Sequence, residues 1–260
     1  MIEASSRSFA DLVRFGGLSP AVSGASPEHE LETHGTTVIA LRYRDGVLAL
    51  ADRRATAGNL IMYDQAEKVF ALDDHTLIAI SGAFARSLEV CRFLKHSFKY
   101  YRRMVQQELS LEGKLQEISR ALAANLPMAM QGIGVFVPIV AAYDRKTDRF
   151  GLYFFDGAGG RFTNTDYACA GSGSERIRGI FEYLGRTKGP WHERSLDEVL
   201  LEGLAMLDIA ADLDSATGGF AKVPPVAQVL DRDGNRPVAE SELQAAMDSV
   251  LNQTRAALSL

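Results

Sequence analysis

The chain changes character sharply at residue 36, and this junction constrains the fold more than any other feature. Residues 1–35 are rich in Ser and Gly, carry a patch of three glutamates and show no sustained apolar periodicity, which is typical of a loosely ordered leader. Residues 36–41 then read Thr-Thr-Val-Ile-Ala-Leu, a β-branched and apolar run that favours a strand. The sequence therefore predicts a leader over 1–35 and a folded domain over 36–260.

The order of elements after the junction predicts layers of sheet and helix. Asp45-Gly46 lies between two apolar runs and is typical of a type I′ hairpin turn. Strands are predicted at 36–41, 47–51, 68–72, 76–81, 135–143, 149–155, 166–170 and 226–230, and helices at 83–104, 110–126, from 174, from 195 to about 214 and from 240. Strands and helix pairs thus come in separate blocks, which favours antiparallel sheets covered by helices over a parallel βαβ fold.

Composition and charge exclude several classes of protein. The net charge is −5 and no dense Lys/Arg stripe occurs, so we predict no nucleic-acid partner. The longest apolar run, 135–143, is far shorter than the roughly 20 residues that span a bilayer, and the N-terminus does not resemble a secretory signal peptide. The two cysteines, Cys91 and Cys169, lie in apolar stretches. We expect no membrane segment, a reducing compartment and a cytoplasmic location.

The common catalytic and ligand-binding motifs are missing from the sequence. HExxH, paired CxxC, GxxxxGK[ST] and GxSxG do not occur, and the five histidines are scattered without ligand spacing. The sequence therefore predicts neither a metal site nor a cofactor, and no histidine-based triad.

Gly35-Thr36-Thr37 is the strongest candidate for chemistry. A threonine at this position could be an ordinary strand residue. If the bond before Thr36 is cut, however, the free α-amine and the hydroxyl belong to one residue, and an amine with a pKa of about 7.7–8.0 can activate the hydroxyl. Gly35 has no Cβ, which leaves room for that hydroxyl to attack the preceding carbonyl.

Two charged residues at the ends of apolar strands support this hypothesis. Asp52 ends the second strand and Lys68 opens the next one, and a lone carboxylate in such a place is costly without a partner. A fixed cation near Thr36 would lower the pKa of its amine and favour the proton-accepting form. A purely structural salt bridge between the two residues is the alternative.

The predicted hairpin register fits the site only in part. With Asp45-Gly46 as the turn, Thr36 lies opposite Ala55 and Asp52 opposite Ile39. Thr36 and Asp52 would then be roughly 10 Å apart along the ladder and on different faces. The chain must therefore leave this register near Asp52 if the site is to form.

Several motifs together resemble proteasome β-subunits, in particular the actinobacterial type. In chain order they are His34–Ala40, Ala51–Arg54, Lys68-Val69, Ile80–Gly82, Gly171–Ser174 and Asp214–Gly218. The resemblance implies an α+β fold, the four-layer α-β-β-α sandwich of the N-terminal-nucleophile hydrolases. It also implies a threonine endopeptidase that is made as a precursor and cleaves itself between Gly35 and Thr36.

The resemblance also assigns roles to individual residues. Thr36 would be the nucleophile and its amine the proton acceptor, with Asp52 and Lys68 tuning that amine. Gly82 would supply the backbone N–H of an oxyanion hole. Three further residues would complete the polar network around the amine: Ser172, Asp214 and Thr217, the last standing where many β-subunits carry serine.

By the same resemblance, Ala55, Ile80, Phe84 and Leu88 would line the substrate pocket. None of the four is charged, so a basic side chain entering the pocket would lose its hydration without gaining a partner. We therefore expect cleavage after apolar residues.

The implied assembly is a barrel in which two inner β-rings, each made of copies of this chain, are capped by rings of α-subunits. An ATP-dependent unfoldase ring would deliver unfolded protein substrates. Two alternatives stay open: a simpler ring peptidase that works with a heat-shock unfoldase and shares Thr36, Asp52 and Lys68, but is a shorter chain, and a non-catalytic ring subunit, which would be expected to have lost Thr36 or Lys68.

Overall fold

The computed structural model describes residues 35–258 except residues 59, 165, 221 and 222. The predicted leader lies outside the described residues apart from Gly35. The strands are β1 Thr37–Tyr43, β2 Gly46–Ala51, β3 Ala55–Ala57, β4 Leu60–Tyr63, β5 Val69–Asp73, β6 Thr76–Gly82, β7 Phe136–Asp144, β8 Arg149–Phe155, β9 Arg161–Asn164, β10 Tyr167–Gly171, β11 Val226–Asp231 and β12 Gly234–Pro237. The α-helices are α1 Phe84–Val105, α2 Leu111–Ala129, α3 Ser174–Lys188, α4 Leu196–Leu213 and α5 Glu240–Leu258, with a 3₁₀ turn at Trp191–Glu193.

Two five-stranded antiparallel sheets form the centre of the molecule. The first has the strand order β10-β1-β2-β11-β12 and the second β5-β6-β7-β8-β9. Each strand presents alternate residues to its two faces. Val38, Ala40, Val47, Leu77 and Ile139 belong to the apolar cluster that joins the facing sides of the two sheets.

Helices cover both outer faces. On the first sheet, Ile39 and Leu50 pack with Phe181 of α3 and Leu204 of α4. On the second sheet, residues from β6 and β7 pack against the buried faces of α1 and α2. The four layers are therefore α-β-β-α, and the α+β sandwich predicted from the sequence is confirmed.

In the β1–β2 hairpin, each residue pairs with a partner two positions away from the one predicted from the sequence. Tyr43 pairs with Gly46, so the turn is Arg44-Asp45, and positive φ angles outside glycine occur, among the described residues, only at Gln106 and Asp148. Gly46 instead belongs to β2, where a Cβ would lie 2.1 Å from the carbonyl oxygen of Leu230. The close approach of β11 requires this glycine inside the sheet, which is why the Asp-Gly pair does not form the predicted type I′ turn.

This shift changes the neighbours of Asp52. Val38 pairs with Ala51, and the Asp52 backbone N–H donates to the carbonyl oxygen of Thr37 at 3.2 Å. The predicted pairing of Asp52 with Ile39 was therefore wrong, as was that of Thr36 with Ala55. The actual register brings Asp52 beside the Thr36–Thr37 segment.

Candidate active site

Thr36, Asp52 and Lys68 meet at one end of the two sheets. Thr36 precedes β1, Asp52 follows β2 and Lys68 precedes β5. All three are buried, with 3%, 1% and 0% of their surface exposed. The fold thus places a hydroxyl, a carboxylate and an amine together where water has little access.

The carboxylate of Asp52 is saturated with donors. Its Oδ1 accepts from the backbone N–H of Thr37 at 2.7 Å and from Lys68 Nζ at 2.8 Å. Its Oδ2 accepts from the backbone N–H groups of Arg54 at 2.9 Å and Gly218 at 2.8 Å. Four donors offset the loss of hydration that a buried carboxylate suffers.

The amine of Lys68 is held by acceptors from three residues in two segments of the chain. Besides Asp52, it donates to the carbonyl oxygen of Arg54 and, at 3.3 Å, to that of Gly35. Burial lowers the pKa of Lys68 from its ordinary value, and the attraction and hydrogen bond of Asp52 act in the opposite direction. A buried lysine under these opposing influences is suited to polarising or exchanging protons with a nearby group.

The Gly35 carbonyl lies between the Thr36 hydroxyl and Lys68. Thr36 Oγ1 donates to this oxygen at 2.5 Å, and Lys68 Nζ lies 3.3 Å from it. Gly35 itself is tightly enclosed, because a Cβ there would lie 2.2 Å from Thr56 Oγ1 and 2.8 Å from Ala216 Cβ. Only glycine fits this position without displacing its neighbours.

A second polar network lies beside Thr36. Asp214 Oδ2 accepts from Ser172 Oγ and from Thr217 Oγ1, both at 2.6 Å, and Thr217 Oγ1 lies 2.6 Å from Thr37 Oγ1. Burial alone would raise the pKa of Asp214, but the hydrogen bonds from Ser172, Thr217 and the Ala216 backbone outweigh it and hold that pKa below its usual range. Ser172 Oγ also lies 3.4 Å from the Thr36 carbonyl oxygen.

Gly82 lies at the end of β6 with φ of +103°, and a Cβ there would meet the carbonyl oxygen of Val135 at 2.4 Å. Together with Ser172 it lines a cleft of about 1150 Å³ between the sheets, next to β10 and α3. The described lining of this cleft includes Phe154 and Phe162 but none of the four predicted pocket residues.

The predicted pocket residues lie elsewhere. Ile80 is 1% exposed and belongs to the apolar cluster between the second sheet and its helices, where Phe84 and Leu88 pack at its edge. Ala55 is buried in β3. Their role in binding substrate stays a prediction.

Three residues that contact this group lie within the quoted sequence motifs but were assigned no role from the sequence. Thr37, Arg54 and Gly218 all donate backbone N–H groups to Asp52. The Arg54 guanidinium also donates to the carbonyl oxygens of Ser215 and Thr217. Their neighbours Thr36, Asp52 and Thr217 pointed to these segments, but the contact between residues 52 and 218 spans the chain and leaves no local pattern.

The described residues contain neither a cluster of metal-binding side chains nor a membrane-spanning helix. Among those described, no group of three or more His, Cys, Asp or Glu side chains could hold a metal ion. Within the same part of the chain, no helix is long and apolar enough to cross a membrane.

The four-layer sandwich, with a threonine at the head of its first strand and a buried lysine–aspartate pair beside it, has the architecture of the N-terminal-nucleophile hydrolases. A family model described as "Proteasome subunit" matches residues 32–223. The chain therefore belongs to the proteasome subunit family.

Curated relatives narrow the likeness to one kind of subunit. "Proteasome subunit beta" of Acidothermus cellulolyticus is 38% identical over 245 residues, covering 91% of this chain and 81% of the relative. The proteins of the same description from Streptosporangium roseum and Jonesia denitrificans are 35% and 34% identical, covering 88% and 86% of this chain and 80% and 73% of the relatives. This likeness to actinobacterial β-subunits is the one predicted from the sequence, and it supports a subunit of a proteasome core that assembles with α-subunits.

Proposed function

We propose that this chain is a catalytic β-subunit, a threonine endopeptidase made as a precursor that cleaves itself between Gly35 and Thr36. One observation carries the proposal: the buried Lys68–Asp52 pair directs the lysine amine at the Gly35 carbonyl oxygen, which the Thr36 hydroxyl also contacts. These are the groups that an attack on this peptide bond requires.

Maturation begins when Thr36 Oγ attacks the Gly35 carbonyl carbon. The C–N bond to Thr36 breaks, the proton that Oγ loses is transferred to the leaving nitrogen, and the acyl group of Gly35 passes to Oγ as an ester. Water then hydrolyses the ester, which releases residues 1–35 with a Gly35 carboxylate and leaves Thr36 with a free amine. The Lys68 bond to the Gly35 oxygen supports this step, because it stabilises the negative charge that develops there.

Turnover uses the same hydroxyl after maturation. The free amine of Thr36 accepts the hydroxyl proton, and the neighbouring Lys68–Asp52 pair tunes its pKa. Gly82 is the proposed oxyanion donor, and loss of one such donor typically costs about 10² to 10³ in rate. Ser172, Asp214 and Thr217 form the supporting network. The proposed contacts to apolar substrate side chains come from Ala55, Ile80, Phe84 and Leu88, which lie outside the cleft lined by Gly82 and Ser172.

The proposed setting is a cytoplasmic barrel with homo-oligomeric β-rings, α-subunit rings and an ATP-dependent unfoldase that feeds in unfolded proteins. The curated β-subunit relatives favour this setting over the simpler ring peptidase. A purely structural ring subunit would have no use for a buried lysine facing the Gly35 carbonyl. That contact favours the catalytic role over the structural one.

The test is intact mass and fluorogenic peptide hydrolysis for wild type, Thr36→Ala and Thr36→Ser, each assembled with α-subunits. We expect Thr36→Ala to form rings, keep residues 1–35 and have no activity, because removing the hydroxyl and methyl of one residue deletes little packing. Thr36→Ser keeps a hydroxyl and should retain measurable activity. If Thr36→Ala is still cut after Gly35 and still hydrolyses peptides, the nucleophile is another residue.

A further inference from the structure

Thr37 is fully buried and makes a side-chain hydrogen bond that the proposed reaction does not explain. Its Oγ1 lies 2.6 Å from Thr217 Oγ1. The two hydroxyls pack directly against the backbone of Gly173, where a Cβ would lie 2.3 Å from Thr37 Oγ1 and 2.7 Å from Thr217 Oγ1. The space around this pair is therefore closed to any larger group.

The direction of the hydrogen bond between Thr37 and Thr217 follows from the protons that the two hydroxyls carry. Thr217 Oγ1 also lies 2.6 Å from Asp214 Oδ2, and an ionised carboxylate can only accept. Thr217 has a single hydroxyl proton, which it donates to Asp214. Thr37 must then donate its own proton to Thr217, so the chain of bonds runs from Thr37 through Thr217 to Asp214.

The main chain of Thr37 is held separately by Asp52. The Thr37 N–H donates to Asp52 Oδ1 at 2.7 Å, and its carbonyl oxygen accepts from the Asp52 N–H at 3.2 Å. The Thr37 N–H belongs to the peptide bond that joins Thr36 to Thr37. Fixing the peptide plane limits rotation at Thr36 and so limits the directions in which its hydroxyl can point.

We propose that Thr37 is a positioning residue for the Thr36 nucleophile, because its buried hydroxyl ties the residue after the nucleophile to the Asp214–Thr217 segment while Asp52 holds its main chain. The inference rests on the proposed function of Thr36. Thr37 reaches the reacting atoms only through its neighbours, so its loss should slow the chemical steps and leave substrate binding unchanged.

The test compares Thr37→Val, which has nearly the same shape without the hydroxyl, with Thr37→Ser, which keeps it. Each variant is assembled with α-subunits, leader removal is followed by intact mass over time, and kcat and KM are measured on a fluorogenic peptide. We expect Thr37→Val to lower both the rate of leader removal and kcat by about 10- to 100-fold, with KM unchanged. Thr37→Ser should restore both rates.

Thr76→Val is the matched control. Thr76 is also a buried strand threonine, and its hydroxyl accepts from Lys114 Nζ at 3.3 Å, at the opposite end of β6 from Gly82. This variant loses a comparable buried hydroxyl and should keep wild-type kcat and maturation. It therefore separates the effect of Thr37 on the reaction from the effect of losing a hydroxyl in the core.

A double-mutant cycle with Thr217→Val tests whether Thr37 acts through its bond to Thr217. If it does, Thr37→Val adds no further loss of kcat in the Thr217→Val background, because the bond is already gone. If the two substitutions instead lower kcat by factors that multiply in the double variant, Thr37 does not act through its bond to Thr217.

Two further outcomes would overturn the positioning role of Thr37. Wild-type kcat and maturation in Thr37→Val would overturn the inference. So would a Thr37→Val chain that fails to assemble while Thr37→Ser and Thr76→Val assemble normally, because the hydroxyl would then serve the fold.

Thr36→Ala, measured in parallel, separates the two proposals. If Thr36→Ala stays active, the proposed function fails. If Thr36→Ala is inactive while Thr37→Val is unaffected, only the positioning role fails.

Discussion

Lys68 and Lys114 are two buried lysines that differ in what they face. Lys68 Nζ lies 2.8 Å from Asp52 and contacts the Gly35 carbonyl, whereas Lys114 Nζ lies 2.7 Å from Asp73 at the β5–β6 turn. Both side chains are nearly inaccessible to solvent. The pair allows the structural and the chemical contributions of a buried ion pair to be separated.

We expect Lys68→Ala to unfold more easily than wild type and to keep its leader. Removing one partner of a buried ion pair typically costs about 3–5 kcal/mol, because the other charge stays buried without compensation. Denaturant unfolding of the isolated chain measures this loss, and intact mass after assembly reports the leader. Lys114→Ala should also lose stability but mature normally. If Lys68→Ala matures like Lys114→Ala, Lys68 is only structural.

Gly35→Ala should block self-cleavage, because a side chain at this position displaces its immediate neighbours. The added methyl would meet Thr56 Oγ1 at 2.2 Å and both Cβ and the carbonyl oxygen of Ala216 at 2.8 Å, so the carbonyl must move away from Lys68. Gly179→Ala is the control, since a Cβ there has nothing within 4 Å. Intact mass after assembly should show the leader retained in the first variant and removed in the second. Normal processing of Gly35→Ala would contradict the described geometry.

At the scale of elements, strong periodicity made the long helices predictable. The apolar spacing over 83–104 and 110–126 predicted α1 and α2 to within a few residues. Strands β3, β4, β9 and β12 were not predicted, because each has only three or four residues, too few for a periodic pattern to be recognised. Segments of this length are defined by their pairing partners.

The candidate site was predictable in its residues but not in its arrangement. Each of Thr36, Asp52 and Lys68 stands at the edge of an apolar run, which the sequence shows directly. Their proximity depends on the β1–β2 register, and that register is set by the approach of β11 to Gly46. A contact between segments some 180 residues apart has no trace in the local pattern.

Helix α4 provides an element-scale prediction. Its N-terminus carries a capping box in which Ser195 Oγ accepts from the Glu198 N–H and the Glu198 carboxylate accepts from the Ser195 N–H. Ser195→Ala should lower the free energy of unfolding by about 1 kcal/mol, measured by urea denaturation. Asp214 lies at the other end of the helix, so kcat of the assembled enzyme should not change. A lower kcat at unchanged stability would contradict this expectation, because it would show that the capping box at the N-terminus of α4 affects the function of Asp214.

On the scale of the whole molecule, the single chain exposes apolar surface that assembly can cover. All four residues of β4, Leu60 to Tyr63, are exposed, and among the strands that the structure describes β4 pairs only with β3, in a sheet of two strands. Such hairpins are marginally stable alone, and contiguous apolar surface of this kind usually marks an interface. A subunit of a proteasome core has neighbours to provide that cover.

We therefore expect the isolated chain to be an unprocessed precursor that becomes active only on assembly. Size-exclusion chromatography combined with intact mass should find residues 1–35 on the monomer and not on the ring fraction that forms after α-subunits are added. Peptide hydrolysis should follow the ring fraction. Monomer that cleaves peptides at the rate of the assembled enzyme would contradict this expectation.

The donors to Asp52 also have a consequence for motion. Backbone amides from three separate segments, those of Thr37, Arg54 and Gly218, end on one carboxylate. None of these segments can open without leaving that buried charge short of a donor, which is costly. The three amides should therefore behave as one cooperative opening unit in hydrogen exchange, so the stretch from Asp214 to Gly218 moves with the core of the first sheet although it is formally a loop.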